Sequence, residues 1–221
     1  TRYIRVTGVQ TCALPISVIG ARLGHCLFYE WDYYSVHPAE ILKIWKGGLA
    51  SHGGVFAIIL ALVWYSKKVT KKSVWWLFDR MIPAVAVVCF CIRFGNLMNS
   101  EIYGYPTTLP WGFEFVRSRE WHQLYEGLPC HPTQIYEMLY CLVAGVTAWV
   151  MYHKYHLQNR VGLITGVSLL IFFGSRFALE FMKNPQVVEE TNMTLNIGQW
   201  LSVPLILLGG YLIYKSKTAK V

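Results

Sequence analysis

Long apolar runs separated by short polar loops constrain this chain more than any other feature. Five segments, about 49–66, 74–99, 132–152, 161–182 and 199–214, are rich in apolar residues and poor in charge. Most meet the ~20 residues that an α-helix needs to cross a bilayer; the last is short. A sixth, "VIGARLGHCLFY" (18–29), reads as the surviving end of a cut helix. The composition agrees. Of 221 residues, 54% are hydrophobic and 14% are charged, against the ~25% charged of soluble domains. The expected fold is all-α: a polytopic transmembrane helical bundle of about five full spans plus one truncated helix, with a polar loop region on its outer side.

The loops orient the bundle. "SKKVTKK" (66–72), "HKYHLQNR" (153–160) and "KSKTAK" (215–220) are short and basic, and share one side if every segment spans. The positive-inside rule makes that side cytoplasmic. Loops 30–46, 100–131 and 183–197 hold most of the remaining acids and face outward. The net charge of +8 is then explained by cytoplasmic loops and lipid, and no nucleic-acid partner is expected. Residues 30–46 suit an interfacial amphipathic arm. "GLITG" (162–166) suits helix packing. Asp79 and Arg80 are expected at the interface, and His153 and His156 in solvent. Six cysteines, Cys12, Cys26, Cys89, Cys91, Cys130 and Cys141, show no CxxC or zinc spacing and read as small apolar filler. Neither a metal nor a cofactor is expected.

The beginning of the chain stands apart. Val6–Ile16, "VTGVQTCALPI", corresponds over eleven codons to the translation of a common sequencing adapter. Residues 1–17 are therefore expected to be no part of the fold, and 18–221 to form a single integral membrane domain without its natural N-terminal helix.

Polar residues inside the spans recur at one depth. His52 lies near the outer end of its helix, in "SHGG". Arg93, Asn96, Asn99 and Glu101 run to the outer surface, where His131, Gln134 and Glu137 open the next helix. Arg176 and Glu180 occupy the last turns of another, Gln199 opens the last, and Arg22 lies on the truncated segment. These depths are about 5–12 Å below the outer interface at 1.5 Å per residue. A charge facing lipid there costs at least ~2.5 kcal/mol, so such groups are expected to face a shared interior and pair with one another. Arg176 and Glu180, at i, i+4, suit an ion pair. Gly53 and Gly54 leave room for a backbone or a ligand.

Each residue alone has a plainer reading. Arg93 near a helix end suits snorkelling to headgroups, His52 suits a packing role, and Arg176 with Glu180 suits a structural pair. The convergence at one depth is what those readings leave unexplained. Buried arginines suit a phosphate, amides and carboxylates suit a glycerol headgroup, and an imidazole accepts a proton at neutral pH. The residues thus describe a membrane enzyme that takes a phospholipid from the outer leaflet and transfers part of it to another molecule.

"RFGNLMNSEIYG" supplies Arg93, Gly95, Asn96, Asn99, Glu101 and Gly104 at the spacing of the signature of the prolipoprotein diacylglyceryl transferase family, which this chain resembles. "SHGG", "HPTQIYE" (131–137) and "RFALEF" (176–181) resemble further motifs of that family, and "GARLG" and "IGQWLSVP" also fit. The likeness runs from residue 18 to about 214. Ile92, Leu97, His25 and Ala57 depart from the common family residues. The family's first helix, which contributes a functional tyrosine, is expected to be missing from the chain as read.

The resemblance implies transfer of the diacylglyceryl group of phosphatidylglycerol to the lipobox cysteine of a preprolipoprotein signal peptide. A thioether forms and glycerol phosphate leaves. It implies a multi-pass protein of the bacterial cytoplasmic (inner) membrane, with its active site towards the outer leaflet. His52, Arg93 and Arg176 are the expected catalytic residues: His52 as the base for the thiol, the arginines on the phosphate. Asn96, Asn99 and Glu101 would bind the headgroup glycerol or fix Arg93, and Glu180 would orient Arg176. Arg22, Gly53, Gly54, Gly104, His131, Gln134, Tyr136 and Glu137 complete the expected substrate site. Two other readings compete: a membrane acyltransferase using Cys130 and His131, and a non-enzymatic lipid or anion transporter.

Overall fold

The computed structural model describes residues 2–125, 127–183 and 195–218. Eight α-helices follow in order: α1 (Arg2–Phe28), α2 (Trp31–Val36), α3 (Ser51–Tyr65), α4 (Val74–Met98), α5 (Arg119–Tyr125), α6 (Thr133–His153), α7 (Leu163–Leu179) and α8 (Ile197–Thr218). Among the described residues there is no strand, only isolated bridges at 104–183, 106–130 and 113–130. Most of the loop 183–197 and the end of the tail 215–220 lie outside the described residues.

Four helical stretches are long and apolar enough to cross a membrane: His52–Thr70, Val74–Met98, Thr133–His153 and Leu163–Met182. The fifth expected span falls in α8, which has 22 residues. The spans are apolar on the outside. Val55, Phe56, Leu60, Trp64, Val87 and Val143 are all more than half exposed. Asp79, Gln134, Glu137, Ser168 and Ser202 are buried. Water would reject such a surface, whereas hydrocarbon accepts it and drives the polar groups inward. The chain is a multi-pass membrane protein.

The chain divides into two compact units, residues 1–77 and 78–221. In the first, α1 packs along α3 through glycine. A Cβ on Gly24 would lie 2.8 Å from the Gly53 Cα, and one on Gly54 would lie 3.1 Å from the Ser17 carbonyl oxygen. Gly20 also abuts the Gly53 carbonyl. Of the two approaches that Gly53 and Gly54 permit, the one seen is a helix backbone. α1 is continuous from Arg2 to Phe28 with Pro15 inside it, so the helix runs across the position where the sequence reading divides the chain.

In the second unit α7 packs on both α6 and α8. A Cβ on Gly166 would sit 2.8 Å from the Gly209 carbonyl oxygen, so this glycine sets the α7–α8 approach. The other glycine of "GLITG" has a different task. Gly162 is left-handed (φ +88°) and stands just before α7. Its N–H donates to Asp79 Oδ2 at 2.7 Å, while the Thr165 N–H and hydroxyl donate to Asp79 Oδ1 at 2.8 and 2.6 Å. Asp79 is fully buried. It caps α7 from α4, satisfying N–H groups that an isolated helix start leaves open.

The segment 100–131 is more than a polar loop. Tyr103, Phe115, Trp121 and Cys130 form a small core of their own. Phe113 and Cys130 exchange backbone hydrogen bonds, and the His131 N–H donates to the Tyr105 carbonyl.

Candidate active site

The polar end of the second unit begins in the last turns of α4. The Arg93 Nε lies 2.7 Å from Glu137 Oε2, on the first turns of α6. Arg93 Nη1 donates to Asn96 Oδ1 at 3.2 Å, and Asn96 Nδ2 donates to Glu101 Oε2 at 3.2 Å. Glu137 is wholly buried and has a second cation: Lys183 Nζ donates to its Oε1 at 2.7 Å. Arg93 and Lys183 thus share one carboxylate, which buried ions require to offset their desolvation. The Lys183 ammonium is also 3.7 Å from Glu180 Oε2.

That last contact replaces an expected one. Glu180 pairs with Lys183, not with Arg176. α7 ends at Leu179 and the chain tightens into a 3₁₀ turn over Glu180–Met182. Residues i and i+3 eclipse in such a turn, so Lys183 meets Glu180. Arg176 is half-buried and has no ion-pair partner among the described residues. It and Arg93 both lie within electrostatic reach of the Tyr140 hydroxyl.

The signature turn is strained and held. Ser100 and Ile102 have φ of +57° and +59°, a region that is unfavourable for a β-branched residue. Two side chains of α6 hold the turn. Gln134 Nε2 donates to the Glu101 carbonyl at 2.6 Å, and the Thr133 hydroxyl to the Ile102 carbonyl at 2.8 Å. The chain then passes through Gly104, whose N–H donates to the His131 carbonyl at 2.9 Å. A Cβ there would sit 2.9 Å from the His131 Cβ, so only glycine fits. Asn99 is exposed beside this turn. His131 Nδ1 lies 3.3 Å from the Tyr136 hydroxyl, which accepts the Trp111 Nε1–H at 2.9 Å.

The first unit holds the remaining expected residues. His52 is exposed in the first turn of α3, with Tyr29 and Phe28 ring centroids 5.5 and 6.4 Å away. Arg22 is buried and donates to the carbonyls of Glu40, Ile41, Gly47 and Gly48 at 2.8, 3.0, 2.5 and 3.2 Å. It also lies over the Tyr34 ring. In place of an open cation for a headgroup, Arg22 is a clamp on the arm at 38–48. On that arm Glu40 joins Lys43 and Lys46. Their hydrogen bonds, from Lys43 first, hold its carboxyl well below the usual carboxylate range, at about 2.

The Cys130–His131 alternative fails on geometry. Cys130 is fully buried, and burial pushes its thiol pKa up. Its imidazole neighbour in sequence turns to Tyr136.

The fold and site together define a membrane-embedded helical protein in which a half-buried arginine and a buried lysine share a buried carboxylate at one end of its second unit. Comparison with known proteins gives its family. The model of the family described as prolipoprotein diacylglyceryl transferase matches residues 2–215. The chain is 46% identical over 207 residues to the phosphatidylglycerol–prolipoprotein diacylglyceryl transferase of Porphyromonas gingivalis, covering 90% of this chain and 73% of that one. It is 45% identical over 201 residues to the protein of the same name from Chloroherpeton thalassium, covering 90% and 72%. Against that from Tolumonas auensis the identity is 40% over 205 residues, covering 92% and 76%. The chain belongs to the prolipoprotein diacylglyceryl transferase family.

Proposed function

We propose that this chain transfers the diacylglyceryl group of phosphatidylglycerol to the lipobox cysteine thiol of a preprolipoprotein. It does so in a bacterial cytoplasmic (inner) membrane, with its polar end towards the outer leaflet. The thiol sulfur attacks the glyceryl carbon that bears the phosphate. A C–S bond forms, the C–O bond breaks, and glycerol phosphate leaves with one more negative charge than the phosphodiester carried.

The observation that carries this reading is the sharing of Glu137 by Arg93 and Lys183. Glu137 anchors the Arg93 guanidinium through its Nε, and the part of that guanidinium left accessible is assigned to the charge that develops on the leaving phosphate. Arg176, half-buried with no ion-pair partner among the described residues, is assigned to the same phosphate. Asn96 and Glu101 are assigned to the headgroup glycerol. The exposed imidazole of His52 is assigned the thiol proton, because the thiolate is the stronger nucleophile. His131 and Tyr136 are assigned to the outer rim of the site. The test is Arg93→Ala in liposomes containing phosphatidylglycerol, with a lipobox peptide as acceptor. Transfer is expected to fall at least about a hundredfold; transfer near the unmodified rate contradicts the assignment of Arg93.

A further inference from the structure

The second unit carries a groove of about 320 Å³ between α4 and α6. Pro83 and Ala86 on α4 and Gly145 on α6 supply its small residues. A Cβ on Gly145 would sit 3.0 Å from the Ala86 Cβ, so these two residues set how closely the helices approach. Larger side chains line the rest: Val87 and Phe90 from α4, Leu142, Val146 and Trp149 from α6. Val87, Leu142, Val146 and Trp149 are each more than half exposed. All lie within two helices that are long and apolar enough to span a bilayer. The medium at that depth is hydrocarbon.

The groove differs from ordinary lipid-facing surface in where it begins. Phe90 is one turn before Arg93, and Cys141 is one turn after Glu137. Its mouth therefore opens about 5 Å from the Arg93–Glu137 ion pair along the helix axes. It continues away from that pair for about 10–12 Å, from Phe90 to Pro83 and from Cys141 to Trp149. Apart from the Cys141 thiol, its lining side chains are hydrocarbon or indole.

We infer that this groove takes one acyl chain of the phosphatidylglycerol donor while its phosphate is held at Arg93. The inference rests on the function proposed above. It makes Leu142 and Val146 specificity-determining residues, because their bulk sets the width available to the chain. Val146 lies about 14 Å along α6 from Glu137, beyond the reach of a six-carbon chain.

The experiment compares transfer from dipalmitoyl- and dihexanoyl-phosphatidylglycerol to a lipobox peptide, for the unmodified chain, Val146→Trp and Val146→Ala. Filling the groove with Val146→Trp is expected to raise the KM for the dipalmitoyl lipid about tenfold, because the indole takes the space that the chain packs into and overpacking is costly. Transfer from the dihexanoyl lipid should stay unchanged, which also shows that the variant folds. Val146→Ala, which removes bulk from the groove, is expected not to raise the KM for the dipalmitoyl lipid; a rise equal to that of Val146→Trp overturns the inference. Equal effects of Val146→Trp on both lipids overturn the inference. So does a raised KM for the peptide with the lipid KM unchanged, which gives the groove to the peptide's apolar segment. Absence of transfer from either lipid by the unmodified chain overturns the underlying function, and the groove's occupant with it.

Discussion

At the scale of residues, Glu137 is the centre of the polar end. It is buried, it meets Arg93 and Lys183 each at 2.7 Å, and removing its charge leaves two cations without it. Glu137→Gln is expected to lower the unfolding free energy by about 3 kcal/mol, as breaking a buried pair does. Denaturant unfolding in detergent measures it, and a change within about 0.5 kcal/mol contradicts the role. Most residues of this network were legible in the sequence, because charged groups inside apolar runs stand out. Lys183 was not, since a lysine just past a helix end reads as a loop boundary. Its link to Glu180 depends on a 3₁₀ turn that no pattern announces. Arg22 was legible as a buried charge but not as a clamp, because its partners are backbone carbonyls of a loop.

At the scale of elements, two attachments carry predictions. Asp79 ties α4 to the start of α7 through three hydrogen bonds. Asp79→Ala is expected to destabilise that junction by about 2–3 kcal/mol, the sum of a lost cap and buried donors left open. Hydrogen exchange at the first turn of α7 is the readout; unchanged protection there contradicts the capping role. The arm at 38–48 depends partly on Glu40. Its carboxyl titrates at about 2 in place of 4.5, so its folded-state pKa lies below the unfolded one. The Lys43 and Lys46 pairs therefore contribute fully above about 4.5 and are lost as pH falls through about 2. Protection of the arm's amides is expected to hold down to about pH 4.5 and to decline below it. A loss complete by pH 4.5 contradicts the pairing. The spans were legible from length and apolarity alone. The α1–α3 seam was legible only as glycines near a histidine, since spacing does not tell a close helix from a close ligand.

At the scale of the whole molecule, the chain shows one principle in two places. Its spans present apolar side chains outward and polar groups inward, so cations and carboxylates pair within the protein. In the second unit that pairing is gathered at the end where α4 leaves and α6 begins, and there the family's signature residues lie. Fold class and family were readable because hydropathy and motif spacing are linear properties of a chain. The small core of 103–130 was not readable, because its aromatic residues meet across loops. The most direct test of the function is transfer from phosphatidylglycerol labelled in its glycerol headgroup to a lipobox peptide, catalysed by this chain in liposomes. The account predicts a thioether-linked diacylglyceryl peptide and labelled glycerol phosphate in equal amounts. Release of labelled glycerol without phosphate, or an acyl ester on the peptide in place of the thioether, contradicts it.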